Sequence, residues 1–357
     1  MKKILLGSSA LALAFATPAA AVDWEIEFGG YMEQHLFYGT FDQPAGTPDN
    51  DGFDINDDAE FFVNPSITLE NGITFTVNLD FEGNAAGGVD EPALIIGGSF
   101  GRVVIGEDDL ASVDVMITAP DVSAGLGINS GTTTAFEPTS ITSNIGISQQ
   151  KMTRTTFPAQ AGDPVGITYF SPRFAGLQAG VSYARDPSRT NTGGGLEDIN
   201  NGDIENIFGV GVNYTNSFGG VDIAAGAGYS TASIDGPGFE NPQAYAFGLN
   251  IGFAGFTVGG SYGEGKDAGG IDGNDGMTFD VGVSYETGPW GVSFTYLNSE
   301  DEATDDEIDE FLAAVTYDFA KGIKVGLWLN YRDFDAAAGS ANDVDGFVGG
   351  STIRVAF

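Results

Sequence analysis

The ten residues Met277–Glu286, MTFDVGVSYE, decide the fold class. Met277, Phe279, Val281, Val283 and Tyr285 are apolar or aromatic, while Thr278, Asp280, Gly282, Ser284 and Glu286 between them are polar or small. Side chains of a strand alternate between its two faces, so the stretch reads as a ribbon with one apolar side. Ten residues at strand pitch, tilted, are long enough to cross the hydrocarbon of a bilayer.

The same alternation extends outward. Ile323, Val325, Leu327, Leu329 and Tyr331 oppose Lys324, Gly326, Trp328, Asn330 and Arg332. Ile73, Phe75, Val77, Leu79 and Phe81 oppose Thr74, Thr76, Asn78, Asp80 and Glu82, and residues 208–214 and 245–253 repeat the pattern. Sixteen such segments are expected between residues 23 and 357, the second of them at 60–70, where Pro65 interrupts it. An even number is what a single-chain bacterial barrel requires. The connections alternate too. Glu70-Asn71-Gly72, Phe100-Gly101, Ala254-Gly255 and Gly288-Pro289 are tight and contain glycine, whereas 40–58 (TFDQPAGTPDNDGFDINDD) and 186–203 are long and rich in Asp, Asn and Gly. Short turns at one rim and long loops at the other give that rhythm. Tyr38, Tyr183, Tyr229, Tyr262 and Tyr296 fall near strand ends, as an aromatic girdle demands.

Residues 1–21 carry Lys2 and Lys3, an apolar run from Ile4 to Phe15 and a small-residue A-x-A pattern ending at Ala21. This is the three-part pattern of a secretory signal peptide, and the run is too short for a membrane anchor. The mature chain is expected to span 22–357. It keeps 50 acidic residues against 13 basic ones less the two lysines, a balance that argues against nucleic acid as a partner. No cysteine is present, so the fold must hold without disulfides. With no apolar run of 18 residues beyond the leader, a closed β-barrel is the remaining way to span a membrane.

Signal peptide, sixteen strands, GRVVIGEDD at 101–109 leading into a long third loop, and a terminal Phe357 preceded by Val355 and Ile353 together resemble a Gram-negative general diffusion porin. The Gly101-Arg102…Gly106-Glu107-Asp108 run is similar to the alphaproteobacterial, Rhodobacter-type branch. The resemblance implies an all-β, 16-stranded antiparallel transmembrane barrel in the outer membrane. It also implies a homotrimer among lipid and lipopolysaccharide, and a third loop (107–163) folded into the lumen as constriction. Phe357 resembles the signal read by the barrel assembly machinery. The small residues Gly97–Ser99 suit either a subunit contact or a tight turn.

By the same resemblance the constriction carboxylates are Glu107, Asp108, Asp109, Asp114 and Asp121, unless they cap turns of their own loop. The opposing basic residues are expected at Lys324, Arg332 and Arg354 on the last strands and at Arg154 on the loop's return limb. Glu33, Asp80 and Glu82, with Glu25 and Glu27, put acid on the inner faces of the first strands, where His35 is the sole candidate cation. A lumen richer in acid than base concentrates cations, so passive diffusion of small hydrophilic solutes with cation selectivity is the expected function. A sugar-selective channel would use lumen aromatics such as Trp328. A structural or adhesive barrel plugged by its loop would not conduct.

No cofactor or metal is expected from ligand spacing, although Asp49–Asp58 and Ala303–Asp309 offer oxygens for Ca²⁺. The first lacks EF-hand spacing, because Thr47 stands where the first Asp belongs, and solvated loop is the competing reading of both. Gly97-Gly98-Ser99-Phe100-Gly101 matches the hydrolase G-x-S-x-G pattern. It lacks the helix and the downstream histidine that motif needs, so no enzyme is expected.

Overall fold

A computed structural model describes residues 23–46, 50–83, 88–129, 133, 136–187, 202–337 and 343–357. The expected signal peptide at 1–21 lies outside the described residues. Sixteen strands, each hydrogen-bonded to its neighbours in sequence, close into one antiparallel barrel. They are β1 (Glu25–Asp42), β2 (Gly52–Thr68), β3 (Thr74–Glu82), β4 (Val89–Gly98), β5 (Gly101–Glu107), β6 (Val165–Phe170), β7 (Leu177–Ala184) and β8 (Ile204–Phe218). There follow β9 (Val221–Ile234), β10 (Gln243–Phe253), β11 (Phe256–Lys266), β12 (Gly276–Thr287), β13 (Trp290–Asp301), β14 (Asp306–Ala320), β15 (Ile323–Asp335) and β16 (Val344–Ala356). Closure runs from Tyr31↔Ala356 to Asp42↔Asp345 between β1 and β16. Beyond it, Phe357 N–H donates to the Gly30 carbonyl.

The outer face explains why these residues form strands. On β10, Phe247 is 57% exposed and Phe253 60%, while Ala244 and Ala246 on the opposite face are buried. Large apolar side chains turned outward around the whole circumference have no solvent but lipid. Aromatic rings pair across strands near the short-turn rim, as in Phe256–Tyr285 (4.3 Å) and Trp290–Tyr317 (4.7 Å). Toward the long-loop rim Tyr183 packs on Phe208 (4.9 Å) and Tyr296 on Phe311 (4.7 Å). The two rows are the girdles expected of amphipathic rings at membrane surfaces.

The long loop read at 40–58 is shorter at both ends, with β1 running on to Asp42. β2 begins at Gly52, inside the stretch read as a long loop, because Phe53 and Ile55 already face outward while Asp54, Asn56 and Asp58 face inward. The density of acid hid the alternation. Pro65 behaves as predicted: lacking an N–H, it leaves 63–65 out of the ladder to β3. Ser99-Phe100 is a tight turn between β4 and β5, so the G-x-S-x-G stretch opens no helix.

Candidate functional site

Residues 108–164, between β5 and β6, lie inside the barrel wherever the structure describes them. They leave β5 through helix α1 (Ala111–Asp114) and later form α2 (Thr139–Asn144). Ala111 N–H donates to Ser182 Oγ on β7 (2.7 Å), and Asn250 Nδ2 on β10 donates to the Thr118 carbonyl (3.0 Å). Ala119 N–H then reaches Asp280 Oδ1 on β12 (2.9 Å), and Val122 N–H reaches Ser293 Oγ on β13 (3.2 Å). At Gly125, with φ +77°, the backbone lies on the Glu33 carboxylate of β1. The first limb therefore follows the inner circumference from β7 round to β1.

It lies so close because the wall beneath it is glycine. A Cβ at Gly228 or Gly248 would overlap the carbonyl oxygen of Ser112 or Ile117. The return limb takes a parallel course. Arg154 N–H donates to Ser299 Oγ (2.8 Å), Thr278 Oγ1 to the Met152 carbonyl (2.6 Å), and Gln160 Nε2 to Ser230 Oγ (3.1 Å). Ser112 Oγ ties the limbs by donating to the Pro158 carbonyl (2.7 Å). Apolar side chains fill the space between. Val122, Leu126, Ile128 and Phe136 of the loop pack with Phe37, Leu297, Leu312, Trp328 and Val348 of the wall.

Two of the expected pore-lining bases are locked in this interior. Arg154 Nη1 and Nη2 grip Glu137 Oε1 (2.6 Å) and Oε2 (3.0 Å), and Nη2 also approaches Glu310 Oε2 on β14 (3.5 Å). Arg332 of β15 binds the same two carboxylates through Nη1 to Glu137 Oε2 (2.9 Å) and Nε to Glu310 Oε1 (3.3 Å). Both arginine side chains are 2% exposed or less, so the expectation that they face lumen water does not hold. The buried carboxylates keep the Arg154 guanidinium above its ordinary pKa against the opposing effect of burial. Trp328, expected to face inward, does so but stacks on Phe136 (5.3 Å) and offers no platform for a sugar. Lys151, likewise on the return limb, pairs with Asp301.

The inner faces of β2 to β4 receive none of these contacts, and they are acidic. Asp58 and Glu60 of β2 and Asp80 and Glu82 of β3 stand on inner faces, with Glu60 directly opposite Glu82. Glu91 of β4 lies within electrostatic reach of Asp108, Asp109 and Asp163 on the loop's two ends. Burial, and secondarily Asp114, pushes the Asp108 carboxyl up to about 6; burial, followed by Asp163 and Asp114, pushes Asp109 up to about 7. Burial also raises Asp163. Asp114 is raised by burial too, while Arg102, whose Nη2 lies 3.0 Å from its Oδ2, pulls the other way.

Other expected residues take different places. Glu107 ends β5 and is buried. Asp121 caps its own turn by accepting from Ser123 N–H, and its other oxygen is buried. Glu33 is buried under the loop tip, with Arg354 Nη1 on one oxygen and His35 Nε2 3.4 Å from the other. Arg354 is half-exposed and lies over the Tyr31 ring (4.2 Å). Lys324 sits at the short-turn rim, 3.7 Å from Asp318. Among the described residues no group of three or more His, Asp or Glu side chains is arranged to hold a metal ion.

Sequence reasoning missed Arg102, Glu60, Glu91, Glu137, Asp163 and Glu310 as site residues. Arg102 stood inside the quoted GRVVIGEDD run without a role, and it stacks on Phe170 (4.3 Å) besides pairing with Asp114. The glycine track carried a readable signal: Gly209, Gly211, Gly226, Gly228 and Gly248 all occupy the inner face of strands whose outer face is apolar.

A family model described as Gram-negative porin matches residues 7–337. Among solved structures, an anion-selective porin from Comamonas acidovorans is 17% identical over 94% of this chain and 100% of its own, with a TM-score of 0.66. Outer-membrane expressed OmpT of Vibrio cholerae is 15% identical over 94% and 98%, with a TM-score of 0.60. A mutant of Rh. blastica porin is 16% identical over 93% and 100%, with a TM-score of 0.56. No curated protein matches.

Proposed function

We propose a function for this chain from one premise: it belongs to the Gram-negative porin family. It is an outer-membrane channel, and its water-filled passage runs between the third loop and the acidic β2–β4 part of the wall. We read it as cation-selective. The observation that carries this is the charge of that sector, where Asp58, Glu60, Asp80, Glu82, Glu91, Asp108, Asp109 and Asp163 face only Arg102 and Arg354 among the described residues named there. Low-dielectric walls lined by one sign of charge raise the local concentration of the opposite ion. Anion selectivity is a property of the Comamonas porin; the charge lining this passage argues for the opposite sign here.

Planar-bilayer recording under a salt gradient tests the reading. A reversal potential of cation sign supports it, and one of anion sign overturns it. Conductance steps in groups of three would support the homotrimer, which, with the Rhodobacter-type placement, we take from the resemblance and from the trimer form described for OmpT. Export by a cleaved leader, surrounding lipopolysaccharide and delivery through Phe357 to the barrel assembly machinery complete the proposal. The burial of both loop limbs against the wall favours one rival, a barrel closed by its own loop, which would show no conductance at all. Calcium in the acidic loops remains a proposal for Ala303–Asp309; in β2, Asp54 and Asp58 share the inner face while Asp57 points away from it.

A further inference from the structure

Near the short-turn rim of the passage, Tyr31, Glu60, Phe62, Asp80 and Arg354 line a cavity of about 360 Å³. That is within the range of small-molecule sites, which run from roughly 300 Å³ upward. Its walls carry both signs of charge. Arg354 spends Nη1 on Glu33 and leans over the Tyr31 ring at 4.2 Å, leaving the rest of a half-exposed guanidinium edge toward the cavity. On the next strand Tyr31 pairs with Glu60, and Phe62 pairs with Asp80 across β2 and β3. Among the described residues neither Glu60 nor Asp80 has a cation within 4.0 Å. Glu60 also stands directly opposite Glu82, a pairing of like charges that destabilises the sheet unless a cation comes between.

We propose that this cavity is a subsite for small zwitterions of the α-amino-acid class. The carboxylate of the solute takes the open edge of Arg354, the fork geometry that guanidinium recognises best. The ammonium takes Glu60, about one strand spacing of 5 Å beyond the Tyr31 ring that Arg354 covers, with Asp80 one strand farther round the wall. Phe62 gives the carbon skeleton an apolar floor, while the Tyr31 ring supports the guanidinium. A plain acidic filter would need no guanidinium here, and a plain anion site would not be faced by two carboxylates. The inference rests on the porin reading, since the solute must reach the cavity through the passage.

Four solutes with one skeleton separate the possibilities: alanine (zwitterion), alaninamide (cation), lactate (anion) and lactamide (neutral). Swelling rates of liposomes carrying the full chain would be measured at a pH where alanine is zwitterionic. Alanine entering faster than lactamide is the expected result. That preference should be lost in Arg354→Gln and in Glu60→Gln, and retained in Arg354→Lys. Arg354→Gln should speed alaninamide while Glu60→Gln slows it, an opposition that a folding defect does not produce. Should Arg354→Gln fail to assemble, Asp80→Asn gives the same reading from a different strand. Equal rates for alanine and lactamide, or an alanine preference untouched by the variants, overturn the subsite and leave the channel intact. Entry of none of the four overturns the channel and the subsite together.

Discussion

Replacing Glu137 by Gln removes the carboxylate that Arg154 and Arg332 share, leaving two buried guanidinium groups with Glu310 alone. Breaking a buried pair by removing one partner costs about 3–5 kcal/mol, because the remaining charge is uncompensated. The barrel does not carry that cost by unfolding, since its ladder of sixteen strands is closed without the loop. The segment around Arg154 is the weaker part. Met152 and Arg154 both hold left-handed φ (+55° and +56°), a region that costs non-glycine residues roughly 1–2 kcal/mol each. The lock opposes that strain. The first limb is held independently by Leu126, Ile128 and Phe136, each of which contributes about 1.5–3 kcal/mol by burial. Glu137→Gln should therefore free the return limb and leave the first in place. A loss of 3 kcal/mol shifts docking by roughly a hundredfold. Trypsin is the assay, because Lys151 and Arg154 are the only lysine and arginine of the loop and both are buried. The native protein should resist cleavage there, and Glu137→Gln should be cut near 151–154 and pass larger, noisier currents. Adding Arg332→Gln restores charge balance and should restore part of the resistance. Full resistance and unchanged conductance in Glu137→Gln would refute the lock.

Three other outcomes follow from the same geometry. Asp108 and Asp109 titrate near 6 and 7, their carboxyls raised by burial, so they gain protons as pH falls from 8 to 5. Cation preference measured by reversal potential should decline over that window, and Asp108→Asn with Asp109→Asn should flatten the decline. Arg102→Gln deletes a cation that opposes the acidic wall and frees Asp114, so cation selectivity should rise; a fall would place Arg102 outside the ion path. Gly248→Val sets a side chain where the Ile117 carbonyl lies, an overpacking that costs about 1–3 kcal/mol. It should displace the first limb and change conductance, whereas Gly252→Val on the same strand, near only side-chain atoms, should not.

The barrel was legible because its determinants are local. Alternation such as Met277–Glu286 is a property of one strand facing lipid, and the glycine-bearing turns announce themselves within a few residues. The position of the loop's acids was legible only where the chain leaves β5. Asp108, Asp109 and Asp114 sit on the first turns after the strand, so chain direction alone puts them near the passage. Arg154 and Arg332 misled for the opposite reason. Their environment is made by Glu137 and Glu310, and Glu310 stands 156 residues from Arg154. A lumen-facing arginine in a strand pattern says nothing about whether a loop will fold over it and bring a carboxylate. Asp121 likewise looks like any loop carboxylate until its Asx turn with Ser123 is seen.

The inward positions of one barrel thus encode two surfaces. From β7 to β15 they are mostly glycine, serine, threonine and apolar residues, which let a backbone lie flat, and charged exceptions such as Asp280, Asp301, Glu310 and Arg332 are each partnered by the loop or the wall. On β2 to β4 they include the carboxylates Asp58, Glu60, Asp80, Glu82 and Glu91, which a loop backbone could cover only by burying charge that the wall does not pair. The loop goes where burial is cheap, and water keeps the sector where burial is costly. On the cation-selective reading proposed above, the off-centre placement of the passage and its sign of charge have a single cause: the acids that repel the loop would be the same acids that select the ion. Neutralising Asp58, Glu60, Asp80 and Glu82 together should accordingly do more than weaken selectivity. It should let the loop spread onto β2 and β3 and narrow the pore, which conductance at high salt, where charge is screened, would register as a smaller step. A high-salt step as large as the native one would separate the two roles and show that the loop's path is set by the glycine track alone.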